Sequence, residues 1–223
     1  YGFLGPNGAG KTTTLKMLTG LLPPDEGTAL IVGHNILEEP IVAKQVLAYI
    51  PDTPNLYGKL KAIEFLRFMA QLYHVPGEVA EERIKRYLDV FELTDRASDY
   101  LEGFSHGMQQ KVAIIGGLIH APSVLFMDEP TVGLDPRSAR LIKDILIQER
   151  DEGNSVFFST HILEIAENMC DRVIIINQGR IIADAPVNEL TKLPGRDQSL
   201  EQVFLALTGG SDVDDMVKEL SDV

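Results

Sequence analysis

Residues Gly5 to Thr13 read Gly5-Pro6-Asn7-Gly8-Ala9-Gly10-Lys11-Thr12-Thr13, which fits the pattern G-x-x-x-x-G-K-[ST] and admits few folds. Such a run needs a strand before it and a helix after it. Only a residue without Cβ adopts positive φ freely, and that conformation aims successive backbone amides inward at an anion. The apolar run Tyr1–Leu4 supplies the strand, and Thr12–Leu18 can open a helix whose N-terminus adds partial positive charge. Lys11 is expected to reach the β- and γ-phosphates of a nucleoside triphosphate, and the Thr12 hydroxyl to take one position on Mg²⁺. A ligand-free glycine turn before a helix is the competing reading; the agreement of eight positions in type and order weighs against it.

At 223 residues the chain fits one α/β domain, or one carrying an inserted subdomain, and can bury a sizeable core. Its formal charge of −13 and pI near 4.8 leave no basic stripe for a phosphate backbone, so nucleic acid is not expected as a partner. Locally, the loop around Lys11 must still be electropositive. The single cysteine, Cys170, has no internal partner, which suits a structural thiol in a reducing cytosolic compartment. No run approaches the roughly 20 apolar residues of a membrane span; the longest candidates, Val112–Ile119 and Val173–Ile176, are short. No signal peptide is visible. The chain starts at Tyr1, already inside the expected first strand, so further residues upstream are expected.

Short apolar runs rich in β-formers recur at Tyr1–Leu4, Ala29–Val32, Val46–Ile50, Val124–Met127, Val156–Ser159 and Val173–Ile176, between helical patterns. That rhythm predicts an α/β fold with a mostly parallel sheet flanked by helices. From about Lys61 to His120 the strand runs vanish. Ala62–Tyr73 and Ala80–Phe91 carry apolar residues at helical spacing (Ile63, Leu66, Phe68, Met69, Leu72; Ile84, Tyr87, Leu88, Phe91). The expected organisation is one domain over 1–223: an α/β core of 1–57 and 121–210, a helical subdomain at 58–120 and an acidic tail at 211–223. Pro136 is placed to open a helix through Arg150, with Gly153 to end it. Asn177-Gln178-Gly179 reads as a turn between two strands, and Gly209-Gly210 as the close of a last helix at Ser199–Leu207.

Val124-Leu125-Phe126-Met127-Asp128-Glu129 is a buried-strand run ended by two carboxylates, at the sheet edge where open α/β folds bind ligands. Successive strand residues point to opposite sides. Asp128 is therefore expected on Mg²⁺ and Glu129 on the attacking water as general base.

With these motifs the chain resembles the ATP-binding subunits of ABC transporters over essentially its whole length. Ser105-His106-Gly107-Met108-Gln109-Gln110-Lys111 is similar to that family's signature, usually Leu-Ser-Gly-Gly-Gln, at the head of a helix. Ser105 and Gly107 are kept; Phe104, His106 and Met108 replace leucine, the first glycine and glutamine. Gly133-Leu134-Asp135 resembles the loop that crosses the dimer interface. Ser159-Thr160-His161 resembles the switch histidine, whose implied work is to hold the γ-phosphate, water and Glu129 in line. At Tyr49-Ile50-Pro51-Asp52 the family usually has glutamine where this chain has Asp52, a carboxylate that can still ligate Mg²⁺.

The resemblance implies ATP and Mg²⁺ as cofactors and ATP hydrolysis coupled to transport. It implies a homodimer, or a pair with a closely related ATPase subunit, closed head-to-tail over ATP with Ser105–Met108 facing the nucleotide of the partner. It also implies an integral-membrane subunit contacted near Asp52–Lys61, a peripheral location on the cytoplasmic face of the cell membrane, and adenine stacking on an aromatic residue upstream of Tyr1. Leu101–Gly107 and Ser199–Gly209 look like segments of bacterial ABC-2-like exporters with a separate membrane subunit. The alternative is a soluble, non-transport ABC ATPase acting on ribosomes or DNA. Such proteins carry paired cassettes, a long coiled coil or basic surfaces, none of which this sequence has. A phosphate-loop kinase or GTPase would need an acceptor site or a guanine-reading motif, and neither is found.

Overall fold

A computed structural model describes residues 1–193 and 196–209. In chain order the elements are β1 (Gly2–Leu4), α1 (Lys11–Leu18), β2 (Leu30–Ile31), β3 (His34–Asn35), α2 (Pro40–Gln45), β4 (Leu47–Ile50), α3 (Ala62–Leu72), α4 (Gly77–Val90) and α5 (His106–Leu118). They continue with β5 (Val124–Asp128), α6 (Pro136–Asp151), β6 (Ser155–Thr160), α7 (Leu163–Met169), β7 (Arg172–Asn177), β8 (Arg180–Pro186), α8 (Val187–Thr191), β9 (Lys192–Leu193), β10 (Arg196–Asp197) and α9 (Leu200–Thr208). The chain divides into two units, Leu15–Phe158 and a smaller one made of Tyr1–Thr14 with the described residues from Ser159 onward.

In the smaller unit β1 pairs parallel with β7, Phe3 opposite Ile174, and β7 pairs antiparallel with β8. All three residues of β1 are buried, as expected of a strand covered on both faces. Leu4, Val173 and Ile175 join Ala166 of α7, Val187 of α8 and Leu200 of α9 in one apolar cluster. The expected turn at 177–179 is present, with Gln178 and Gly179 both at positive φ. Helix α9 starts in a capping box: Ser199 Oγ accepts from Gln202 N–H at 3.3 Å, and Gln202 Oε1 accepts from Ser199 N–H at 3.2 Å. It ends at Gly209, φ +85; the expected acidic tail at 211–223, and Gly210, lie outside the described residues.

In the larger unit β4 runs parallel to β5, with Leu47 opposite Val124 and Ile50 opposite Met127. Leu15, Ile31, Ile36, Ala43, Leu47 and Phe126 form its apolar cluster on one side. The helical stretch is present as α3, α4 and α5. Helix α4 begins at Gly77, a turn before the apolar spacing predicts, because its first turn is polar and opens on Pro76. Ile84, Leu88 and Phe91 are buried as expected, each side chain contributing about 1.5–3 kcal/mol. On α3 the buried positions are Ala62, Phe65, Leu66 and Ala70, whereas Phe68 and Leu72 face outward. Phe68 instead makes an edge-on contact with Tyr57, ring centroids 5.9 Å apart. A Cβ on Gly117 would stand 2.9 Å from Ile50 Cδ1, so this glycine lets α5 lie close on β4.

The strand predicted at Ala29–Val32 is only the two-residue β2, paired with β3 in a small hairpin around Val32 and Gly33. Two parallel pairings and one antiparallel pairing of longer strands, with helices packed on them, give the expected α/β class. Among the described residues no helix is long and apolar enough to cross a membrane.

Candidate functional site

The phosphate-type loop lies in the smaller unit and leaves buried β1 at Gly5. A Cβ there would stand 2.5 Å from the Ile176 carbonyl oxygen and 3.1 Å from Ala9 Cβ, so the loop runs flush against β7. Gly179 N–H donates to the Ala9 carbonyl at 2.9 Å and ties the loop to the β7–β8 turn. Gly8 and Gly10 take φ of +79° and +109°, the left-handed conformations that the motif's glycines are expected to supply. Lys11 opens α1 with only 8% of its surface exposed, and its Nζ donates to the Gly5 carbonyl at 2.7 Å and the Pro6 carbonyl at 3.3 Å. Pro6, Asn7, Gly8, Thr12 and Thr13 are exposed. The first turn of α1 holds no acidic side chain, so nothing there offsets the positive helix end.

His161 belongs to the same unit and follows β6 directly. It is exposed, in a short turn fixed by Ile162 N–H donating to Thr160 Oγ1 at 3.0 Å. It borders a cleft of about 410 Å³ together with Glu164, Glu167 and Ser199. Glu167 Oε2 accepts from Leu200 N–H at 3.0 Å, so the helix after His161 is joined to the start of α9.

The larger unit holds the other residues named from the sequence. Asp128 ends β5 and is 1% exposed; Glu129 follows, half-buried. Glu129 has φ +48, an outlier for a residue with a long side chain, in a turn closed by Val132 N–H to the Glu129 carbonyl at 3.1 Å. Because β4 and β5 are parallel and in register, their carboxyl ends share one edge, and Asp52 follows β4 there by two residues. Asp52 is exposed and its Oδ1 accepts from Thr53 N–H at 2.8 Å. The phenol of Tyr49 reports on both carboxylates: burial first, then the charges of Asp128 and Asp52, push its pKa up to about 12. Its hydroxyl is buried and has no hydrogen-bond partner among the described residues.

Ser105 caps α5, its Oγ accepting from Met108 N–H at 3.3 Å. Met108, like Gly107, is partly exposed. Gln110, 1% exposed, donates from Nε2 to the Pro51 carbonyl at 3.5 Å and so connects this helix to the turn that carries Asp52. Asp135 caps α6: Oδ1 accepts from Ser138 N–H at 2.9 Å and Oδ2 from Ser138 Oγ at 2.5 Å. The Ser138 hydroxyl, then the Ser138 amide, hold the Asp135 carboxyl below the usual carboxylate range, and Lys111 adds to this. The larger unit thus gathers Asp52 and Asp128 at one strand edge, and the Ser105 cap near the loop before Asp135. Sequence reasoning missed Gln110 and the Tyr49 hydroxyl, whose significance depends on burial, and the backbone conformation of Glu129, which has no compositional sign.

Among the described residues no group of three or more His, Cys, Asp and Glu side chains is arranged to hold a metal. The donors named from the sequence are the Asp52 and Asp128 carboxylates and the Thr12 hydroxyl, all hard oxygens, a set that suits Mg²⁺ rather than a transition metal.

Comparison with known proteins gives consistent matches. The family model described as "ABC transporter" matches residues 1–132. The linearmycin resistance ATP-binding protein LnrL of Bacillus subtilis is 39% identical over 201 residues, 90% of this chain and 65% of that protein. The daunorubicin/doxorubicin resistance ATP-binding protein DrrA of Streptomyces peucetius is 38% identical over 190 residues, covering 85% of this chain and 58% of its own. The ABC-type transporter ATP-binding protein EcsA of Bacillus subtilis is 36% identical over 208 residues, 93% of this chain and 84% of that protein. The chain therefore spans less than two thirds of LnrL and DrrA and most of EcsA. A solved structure described as the ATP binding subunit of an ABC transporter superposes with a TM-score of 0.88 at 35% identity, covering 92% of this chain and 86% of the other.

Proposed function

This chain belongs to the ABC transporter family, and on that premise we propose that it is the ATP-binding and ATP-hydrolysing subunit of a membrane exporter, driven by closure of two copies on ATP. The observation that carries the reading is the loop of Gly5–Thr13, flush against β7, with its glycines at positive φ and a nearly buried Lys11 at the head of α1. Exposed amides and hydroxyls with a lysine at a helix N-terminus are what a triphosphate requires.

In this proposal Gly5 to Thr13 hold the phosphates and Lys11 engages the β- and γ-phosphates. Thr12, Asp52 and Asp128 ligate Mg²⁺. A Mg²⁺ held by these three side chains would supply positive charge against the negative charge that develops on the phosphates during transfer. Glu129 takes the proton of the attacking water. His161 holds the γ-phosphate and water in line, a positioning contribution. Ser105, His106, Gly107 and Met108 at the head of α5 approach the γ-phosphate of a second copy, supplying donors on its far side, and Asp135 lies at the interface. ATP then favours the closed pair because it is bound by two faces there and by one in the open state.

The membrane subunit is proposed to dock near Asp52–Lys61. Support comes from a groove of about 260 Å³ lined in part by Pro51, Pro54, Leu56 and Phe65, and from a second one of about 370 Å³ lined by Tyr57, Lys59, Leu60 and Phe68, of which Tyr57 and Phe68 are exposed. This contact would keep the subunit on the cytoplasmic face of the membrane. The relatives' names, linearmycin resistance and daunorubicin/doxorubicin resistance, favour export. The test is purification of the tagged full-length protein from membranes with assay of Mg-ATP turnover. A co-purifying polytopic membrane protein with ATP hydrolysis is expected; a ribosome or DNA complex without one would overturn the proposal.

A further inference from the structure

One contact in the larger unit involves a residue at which this chain departs from the family's glycine. His106 is the first residue of α5, and Gly133 lies in the loop that ends at the Asp135 cap. A Cβ built on Gly133 would stand 3.1 Å from His106 Cδ2 and 3.3 Å from His106 Nε2. The imidazole edge therefore lies directly over the Gly133 backbone. Gly133 itself has φ +73, a conformation strained for any residue with a side chain, and an added Cβ would require the His106 ring to give by a few tenths of an ångström. The next loop residue makes a second contact: Leu134 Cδ2 is 3.4 Å from where a Cβ on Gly107 would be, ordinary van der Waals distance. Lys111, one turn farther along α5, acts on the charge of Asp135. Two consecutive loop residues, Gly133 and Leu134, thus meet the first turn of α5, and a glycine at 106 would remove the ring that covers the loop.

We propose that His106 is a positioning residue whose ring clamps the Gly133–Asp135 loop to the head of α5, presenting Ser105 and Asp135 as one preformed surface to a second copy of this chain. The inference rests on the reading that two copies close over ATP. Two segments that must each be ordered on closure lose more conformational freedom than one joined beforehand, so the clamp strengthens association without touching the nucleotide in its own protomer.

The test uses the full-length protein carrying Glu129→Gln, so that ATP is bound but not consumed, with His106→Gly, His106→Gln, Gly133→Ala and the double variant His106→Gly/Gly133→Ala. Association is followed by analytical ultracentrifugation with Mg-ATP, monomer affinity by a fluorescent ATP analogue, and loop order by hydrogen exchange. His106→Gly should weaken ATP-driven dimerisation about tenfold, and because His106 is also proposed to face the γ-phosphate of the second copy, loop exchange in the nucleotide-free monomer is the readout that isolates the clamp. Exchange over 131–135 should rise about fivefold or more, since a loop released from a packing partner opens more often. His106→Gln, whose planar amide can cover the same glycine, should restore most of the loss. The defect caused by Gly133→Ala should be smaller in the His106→Gly background, where no ring opposes the added methyl. Equal exchange and equal dimerisation with and without His106 would overturn the clamp. Failure of the Glu129→Gln parent to dimerise would instead overturn the two-copy reading, and the exchange measurement would then decide the clamp alone.

Discussion

Glu129 sits at φ +48, directly after the buried strand that ends in Asp128, and replacing it separates its backbone strain from its chemistry. Holding a non-glycine residue in the left-handed region costs about 1–3 kcal/mol. Glycine removes that cost but restores freedom to the unfolded chain, an offset of roughly 0.5–1 kcal/mol. The net expectation for Glu129→Gly is a gain of about 0–2.5 kcal/mol, or up to about 10 °C in melting temperature for a chain of this size. Glu129→Gln is the proper reference, since it removes the same charge and keeps the Cβ in its unfavourable place. Both variants should bind ATP and lose roughly 10²–10⁴-fold in turnover, the usual size of a general-base contribution. Calorimetry in nucleotide-free buffer gives the first comparison and phosphate release the second. If Glu129→Gly melts no higher than Glu129→Gln, the positive φ stores no more strain than the glycine offset of about 0.5–1 kcal/mol, and the larger values are refuted. If both variants hydrolyse ATP at the parental rate, the base is another residue.

Two further outcomes follow from geometry. Burial, with a smaller push from Arg83, holds the His120 imidazole below its ordinary 6.5, against an opposing hydrogen bond in which Nε2 donates to the Leu47 carbonyl at 3.1 Å. A base depressed in the folded state is protonated first in the unfolded chain, so its contribution to stability is intact above pH 6.5 and is lost as pH falls below it. His120→Gln should flatten the urea midpoint against pH between about 5 and 7; parallel slopes would contradict this. Gly5→Ala places a methyl 2.5 Å from the Ile176 carbonyl oxygen, so the loop or β7 must shift. A cost of about 1–3 kcal/mol is expected together with weaker binding of a fluorescent nucleotide; unchanged melting and affinity would show the contact to be relaxed.

What the sequence disclosed was local. The glycine loop, the helix starts near Ser105, Pro136 and Ser199, and the strand ending in Asp128 are each marked by residues a few positions apart, so residue type and spacing suffice to find them, whereas the capping hydrogen bonds of Ser105, Asp135 and Ser199 are seen only in the structure. Elements decided by distant neighbours were harder to read. Helix α2 has six residues and the β2–β3 hairpin two per strand, too few for a periodicity to show. On α3 the apolar spacing nominated Phe68 and Leu72, while burial fell on Phe65 and Ala70, because the facing helices determine which stripe is covered. The contact of His106 with Gly133 joins residues 27 positions apart, and nothing in either neighbourhood announces it.

The Lys11 ammonium already has the Gly5 and Pro6 carbonyls as companions within its own loop. Any anion that recruits it competes with those two oxygens, so the gain is a difference between attachments. A lone phosphate, with little charge and few contacts, profits least from that exchange. A chain of phosphates that also spans the amides ahead of α1 brings further contacts to set against that common cost.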